Sequence, residues 1–325
     1  MNVAIAVTVK NEARFLRPSL LYHRHVGVDR MYVFLDRSTD NTRETVEDLD
    51  FVEIDESVSR ERYANRPELQ FMIEGYERIF TARQGLNVVY AIEKARNEGI
   101  DWIISLDADE LLYIYPESQL KDHLRIFFNK IGRNIDAVRF GTLEALQRKL
   151  DSVNGFAEES LFVKPFSNFP RKMYDPYKDS YFKLKGALGH KVGKSAVRTS
   201  VDSHPADSHE FVSRDGSPLK TLNTGYVLHY YCYGFEDFQK KYTNFEDHPD
   251  QYLSGEDVVY HKRLWRDIVS DPGFSDDELR EYYKKNIVPA PEAVDRLLKR
   301  KVLGLFPGKE KIIRIDAVRK AFEHL

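Results

Sequence analysis

Asp107, Asp109 and Glu110 follow directly on Trp102-Ile103-Ile104-Ser105-Leu106, so three acids close a run otherwise suited to burial. In an extended backbone, side chains two residues apart leave on the same side with Cα atoms roughly 6 to 7 Å apart, and Asp107 and Asp109 can converge on one object. A hard divalent cation is such an object. Magnesium or manganese takes carboxylate oxygens, water and substrate phosphate oxygens, and two acids suffice when a diphosphate supplies the rest. The competing reading of D-x-D is a solvated turn. The apolar run before it instead suggests a strand covered on both faces, with the acids at its mouth.

Two more polar turns close apolar runs of the same kind. Lys10-Asn11-Glu12 follows residues 3–9, and Asp36-Arg37-Ser38-Thr39-Asp40-Asn41-Thr42 follows residues 31–35. A third short strand at 51–54 runs into Asp55-Glu56. Between these runs a helical period passes through Phe15, Leu16, Leu20 and Leu21, and further helices are predicted from Thr39, over 68–80 and over 86–97 with Gly99 as the stop. Strands alternating with helices predict right-handed crossovers and a mostly parallel α/β sheet, in which ligands bind beyond the carboxyl ends of the strands. All the polar turns then fall on one edge.

Residues 119–131 predict an amphipathic helix and 137–140 a strand. From 141 to about 218 the pattern weakens into short aromatic and basic segments, including Lys191-Val192-Gly193-Lys194-Ser195 and the stretch from His204 to Phe211, and reads as a loop-rich acceptor region. Lys194 lacks the spacing of a phosphate-binding P-loop; contact with acceptor or phosphate stays open to it, and a solvated lysine is the simpler expectation. A strand carrying His229 is predicted at 225–233. Helices follow over 235–245, 257–269, 276–286, 291–303 and 315–324, a C-terminal α-helical extension. The expected division is a domain at 1–234, with a nucleotide half at 1–115 and an acceptor half at 116–234, and the extension at 235–325. From Lys299 onward eight Lys or Arg stand against three acids, with Leu303, Leu305 and Phe306 between them. Such a segment either lies on anionic lipid as a peripheral membrane contact or forms the solvated face of a packed helix.

The net charge of −3 and a pI near 6.4 give no drive toward nucleic acid. The single cysteine, Cys232, excludes an internal disulfide and any C-x-x-C metal site. The first residues show no signal-peptide pattern, and no run of 18 apolar residues offers a membrane span. The expected location is cytoplasmic or on a cytosolic membrane face.

Taken together, Val9-Lys10-Asn11-Glu12, Tyr22-His23 with Gly27-Val28-Asp29, Asp36 to Asp40, Arg83-Gln84 with Asn87, and Trp102 to Leu112 resemble glycosyltransferase family 2-like proteins of the GT-A fold. Leu228-His229-Tyr230 and Phe235-Glu236-Asp237-Phe238 with Lys241 are similar to that family's later elements, so the resemblance covers roughly 1 to 242. It implies a nucleotide-sugar-dependent transferase of Rossmann-like GT-A fold, with Val9, Asn11 and Glu12 at the nucleotide. Asp36 would accept from the base, most often uracil of a UDP-sugar, unless it caps the helix from Thr39. Arg83 would lie near the base or diphosphate. Asp107 and Asp109 would meet Mn2+ or Mg2+ and the diphosphate, His229 would complete the metal shell, with His209 as rival ligand, and Lys241 would face the leaving phosphates.

An inverting transfer to a glycan hydroxyl, of the kind used in polysaccharide biosynthesis, needs a carboxylate base. Asp207, Glu210, Glu256 and Asp257 are the candidates, each equally readable as a surface acid. A D-x-D phosphotransferase normally carries its motif on the first strand, and a sugar nucleotidyltransferase needs a Gly-rich first loop. A non-catalytic nucleotide- or glycan-binding module is the remaining alternative.

Overall fold

Strand β1 (Val3–Val9) is buried along its whole length, as a run of β-branched and apolar residues requires. It pairs in parallel with β2 (Arg30–Leu35) on one side and β4 (Trp102–Leu106) on the other, and β2 carries β3 (Val52–Glu56) in parallel outside it. Val9 lies opposite Leu35, Leu35 opposite Glu56, and Val7 opposite Leu106. The computed structural model, which describes residues 1–114, 121–163, 192–253, 255–298 and 312–325, thus brings the carboxyl ends of four strands to one edge.

Helices cover both faces. Val3, Ile5, Val7 and Val9 pack with Leu16 and Leu20 of α1 (Leu16–His25), while Ala4 and Ala6 pack against Val88, Ala91, Ile92 and Ala95 of α3 (Phe80–Asn97). This parallel, helix-flanked α/β sheet is the architecture the sequence predicts. Beyond β4 it continues through antiparallel neighbours: β8 (Lys194–Arg198), β6 (Ala137–Ala145), β7 (Leu161–Val163) and β12 (Ile312–Arg314). Strand β11 (Thr221–His229) runs parallel to β6 and antiparallel to β5 (Glu110–Tyr113), which places His229 opposite both Glu144 and Glu110. A hairpin of β9 (Ser203–Pro205) and β10 (Phe211–Ser213) stands apart from this sheet.

Several elements differ from expectation. No helix follows Thr39; residues 41–48 form turns, because Thr42 and Asp40 turn their side chains to Glu12, Ala13 and one another. The helix expected at 68–80 is short, α2 (Gln70–Gly75), and the carbonyl of Tyr76 accepts from Arg83 at 2.6 Å. Helix α3 therefore begins at Phe80 rather than 86. Within the supposed loop region, β8 is a fully buried strand between β4 and β6.

The remaining helices are α4 (His123–Lys130), α5 (Gly155–Glu158), α6 (Phe235–Asn244), α7 (Tyr260–Ser270), α8 (Asp276–Asn286), α9 (Pro291–Leu298) and α10 (Asp316–Ala321). The helical extension also contributes a strand, β12, and Phe322 just beyond α10 stacks on Tyr22 and Phe156. Its helices share an apolar cluster with the end of the sheet: Tyr231 and Phe235 pack with Phe238, Trp265 and Tyr283. Of the basic stretch expected from Lys299, residues 299–311, with Leu303, Leu305 and Phe306, lie outside the described residues.

The Tyr22-His23 pair on α1 holds the strand that follows the acids. Tyr22 donates its hydroxyl proton to the Leu112 carbonyl at 2.9 Å, and the Leu112 N–H donates to His23 Nε2 at 3.2 Å. Nδ1 of His23 lies 2.8 Å from the Ser19 carbonyl, so these partners select the neutral Nδ1–H tautomer. Burial pushes the ring down to about 3. Below pH 6.5 the unfolded chain takes a proton that the folded chain refuses, so this residue's contribution to stability is lost as the pH drops, by about 1.4 kcal/mol per unit until the folded group titrates. Because other groups titrate in the same window, the readout is a difference: the stability of the parent relative to His23→Gln, from urea unfolding, should fall from pH 7 to pH 5, and a difference that does not change with pH would refute the assignment.

Candidate active site

After β4 the chain folds back on itself so that Glu110 closes the turn: its carboxylate accepts the Asp107 N–H at 2.9 Å. The Asp107 carboxylate accepts from Gln84 Nε2 of α3 at 2.7 Å and from Lys194 Nζ of β8 at 2.8 Å. Lys194 is 0% exposed and also lies 3.5 Å from Glu110. Burial alone would raise the Asp107 carboxyl, but the Lys194 ammonium outweighs it and holds the group down at about 2. Glu110, also buried, is pushed up to about 7 by desolvation, with Lys194 opposing and the Asp107 charge adding.

Asp109 is held from two other directions. Lys241 of α6 donates to it at 2.7 Å, and His229 Nε2 faces it at 3.5 Å. The other His229 nitrogen lies 3.0 Å from both oxygens of Glu144, its neighbour across the β6–β11 ladder. Burial disfavours charge on this ring, yet Glu144 and Asp109 together raise it to about 10, an imidazolium at neutral pH. Asp109 is held well below the usual carboxylate range against its burial by Lys241 and His229.

Helix α6 also reaches the end of β1. Lys240 lies 3.2 Å from Glu12, and the Asn244 amide joins Asn11 and the Lys10 carbonyl. Asn11 sits at φ 57°, a left-handed conformation that asparagine tolerates, and its side-chain oxygen accepts the Thr39 N–H at 2.7 Å. The Val9 carbonyl accepts the Asp36 N–H at 2.7 Å. Glu12 is pushed up to about 7, chiefly by burial, with Lys240 opposing and the Asp109 charge adding.

Asp36 and Arg83 are paired with each other. The guanidinium grips the carboxylate through two bonds of 2.7 and 2.9 Å, and the Ser57 hydroxyl adds a third at 2.9 Å. Both side chains are buried, so Asp36 caps no helix and its charge is spent on Arg83.

The loop acids lie elsewhere. Asp207 accepts the N–H groups of His209 and Glu210 in the β9–β10 hairpin, Glu210 pairs with Arg139, and His209 Nδ1 meets the Gly193 carbonyl. Glu256 and Asp257 are exposed in the connection between α6 and α7. Lys191 lies outside the described residues. The sequence reading missed Glu144, quoted Gln84 beside Arg83 without giving it a role, and favoured a solvated lysine for Lys194. Neither Glu144 nor Lys194 stood out locally, since β6 also holds Arg139 and β8 also holds Ser195 and Arg198.

Asp107 and Asp109 have the oxygen chemistry and ionisation that a hard divalent cation needs. Among the described residues no group of three or more His, Cys, Asp or Glu side chains forms a ready metal site, so a cation held here would draw further ligands from a substrate. His229 faces Asp109 at 3.5 Å and would have to release a proton to join a cation held there.

The family profile described as glycosyltransferase family 92 matches residues 3–268. A glycosyltransferase-like protein of Arabidopsis thaliana is 28% identical over 242 residues, 69% of this chain and 52% of the relative. A second one from the same plant is also 28% identical over 242 residues, covering 46% of its own length, so the chain spans about half of these curated relatives. Among solved structures, S. aureus TarS 1–349 matches with a TM-score of 0.37 and 11% identity over 93% of this chain and 76% of that one. Glucosyl-3-phosphoglycerate synthase from Mycobacterium tuberculosis, in complex with Mn2+, UDP and phosphoglyceric acid, matches with a TM-score of 0.34 and 12% identity over 77% and 80%. No helix among the described residues is long and apolar enough to cross a membrane.

The Asp36–Arg83 pair gives a separable stability test. Arg83→Met leaves a buried carboxylate unpaired and should cost roughly 3 to 5 kcal/mol in urea unfolding, while Arg83→Met combined with Asp36→Leu should recover a large part of that loss. Equal destabilisation of the single and double variants would show that the pair is not coupled.

Proposed function

The chain belongs to glycosyltransferase family 92 rather than family 2, and from that membership we propose that it transfers a sugar from a nucleotide-diphosphate donor, a UDP-sugar, to a hydroxyl of a glycan acceptor. The observation that carries the reading is the pair Asp107 and Asp109, ionised at the mouth of the central strand with Lys241 beside them. Asp107 and Asp109 hold Mn2+ or Mg2+ together with the donor diphosphate. When bound, the cation supplies Lewis-acid neutralisation of the departing phosphates. Lys241 adds its ammonium to the same charge. The edge formed by Val9, Asn11 and the Asp36–Arg83 pair lies along the nucleotide, and Glu12, at the end of that edge beside α6, faces the acceptor instead.

Inverting transfer needs a carboxyl poised near the working pH to take the acceptor proton. Three carboxyls near this edge are pushed up: Glu110 and Glu12 to about 7, and Asp237 to about 6. Glu110 is fully buried in the turn, and Asp237 is buried against Arg14 at 2.9 Å; Glu12 is also paired, with Lys240 at 3.2 Å, but its side chain is 25% exposed and can be reached by an acceptor. Glu12 therefore takes the base role, in preference to the loop acids Asp207, Glu210, Glu256 and Asp257.

Nucleoside diphosphate release, measured with manganese over a panel of nucleotide-sugars and glycan acceptors, tests the reading. Asp107→Asn and Asp109→Asn should each abolish release while the protein still unfolds cooperatively, and chelator should do the same to the parent. Full release in excess chelator would overturn the metal-dependent mechanism, and binding of nucleotide-sugar with no release would mark a non-catalytic module. Glu12→Gln should lower kcat by about 10² to 10⁴ while leaving nucleoside diphosphate affinity within a few-fold. An unchanged kcat would remove Glu12 from the mechanism.

A further inference from the structure

Lys262, on the first turn of α7, is a half-buried cation whose side chain makes no hydrogen bond or ion pair with a carboxylate among the described residues. It stands beside the site. Its ammonium lies 5.8 Å from the Tyr231 ring centroid and the same distance from that of Tyr252. Lys241 sits over the same Tyr231 ring at 4.2 Å, with its own charge bound to Asp109. One aromatic platform, two residues beyond His229, therefore carries two ammonium groups of which only one is neutralised by a carboxylate.

Burial and repulsion from Lys241 pull Lys262 down to about 8, against weaker attraction from Glu144 and Asp107. A half-buried, incompletely compensated ammonium is costly unless an anion arrives to meet it. The cation–π contacts offset only part of that cost, about 0.5 to 2 kcal/mol. An incoming group that supplies negative charge on several oxygens would satisfy Lys262 and relieve its repulsion with Lys241 together.

We propose that Lys262 is a diphosphate-binding residue, forming with Lys241 a two-lysine clamp across the Tyr231 ring on the nucleoside diphosphate of the donor and the leaving group. This rests on the transferase reading above and assigns to α7 a direct part in the site. A monophosphate is short of the second phosphate that would let one ligand engage both lysines, so the clamp selects diphosphates over monophosphates. A purely structural lysine, stacked between Tyr231 and Tyr252, would confer no such preference.

Isothermal titration of the full chain in manganese, with inorganic pyrophosphate, inorganic phosphate, and the common nucleoside diphosphates beside their monophosphates, tests the clamp. Lys262→Met keeps the apolar stem and removes the charge. It should weaken the diphosphates and pyrophosphate about tenfold or more, as expected for a lost charge-assisted hydrogen bond, and the monophosphates several-fold less. Lys262→Arg should stay within about threefold of the parent, and thermal unfolding confirms that both variants are folded. If the parent binds diphosphates and Lys262→Met binds them equally well, or loses mono- and diphosphates alike, the clamp is wrong while the transferase reading stands. If the parent binds neither pyrophosphate nor any nucleoside diphosphate, both are overturned.

Discussion

Every acid at the mouth of β4 stands against a cation delivered by a distant part of the chain, and the architecture around the site follows from closing those pairs. Asp107, Asp109 and Glu110 fall within four residues, and ionised carboxylates left buried and unpaired cost several kcal/mol each. Lys194 neutralises Asp107 from 87 residues away and Lys241 neutralises Asp109 from 132 residues away. Strand β8 must therefore lie beside β4, and α6 must fold over the sheet edge. His229 adds a third positive charge, itself secured by Glu144 on the adjoining strand. An acidic motif in a short loop thus specifies the placement of three elements that share no local sequence with it.

The edge itself was legible because period and polarity speak locally. Apolar runs of five to seven residues ending in polar turns can scarcely be anything but buried strands with functional mouths, and the parallel register of β1, β2 and β4 aligns those mouths. The cations were illegible for the same physical reason. A lysine in Lys194-Ser195-Ala196 has the composition of a surface segment, and only its partner 87 residues away explains its complete burial. The helix expected after Thr39 failed in a related way. Its cap-forming residues are present, but Asp40 and Thr42 direct their side chains to the backbone of the neighbouring loop at Glu12 and Ala13. Side chains suited to capping serve a tertiary contact equally well.

The helices after β11 change how the site is divided. Lys240, Lys241 and Asn244 lie on α6, at i, i+1 and i+4, and reach Glu12, Asp109 and Asn11 respectively. The ends of β1 and β4 are thereby joined to a helix that sequence composition assigns to an extension. Its packing supports the same conclusion, since Tyr231 and Cys232 at the end of the sheet share a cluster with Trp265 of α7 and Tyr283 of α8. The match to family 92 extends through residue 268 and so takes in most of α7 as well.

Exposure separates the lysines into two kinds of work. Lys194 is sealed beneath Asp107, so its charge stays with Asp107 and Glu110 whatever binds above, and its role is to keep the first acid ionised. Lys241 is about a third exposed, with a side-chain accessibility of 35%, so its ammonium faces solvent as well as Asp109. His229 meets the same carboxylate from the sheet side at 3.5 Å, and the Glu144 carboxylate behind it favours the charged ring. Asp109 is therefore held from one sealed direction and one open one, and only the open one can be reached by a group arriving from solution.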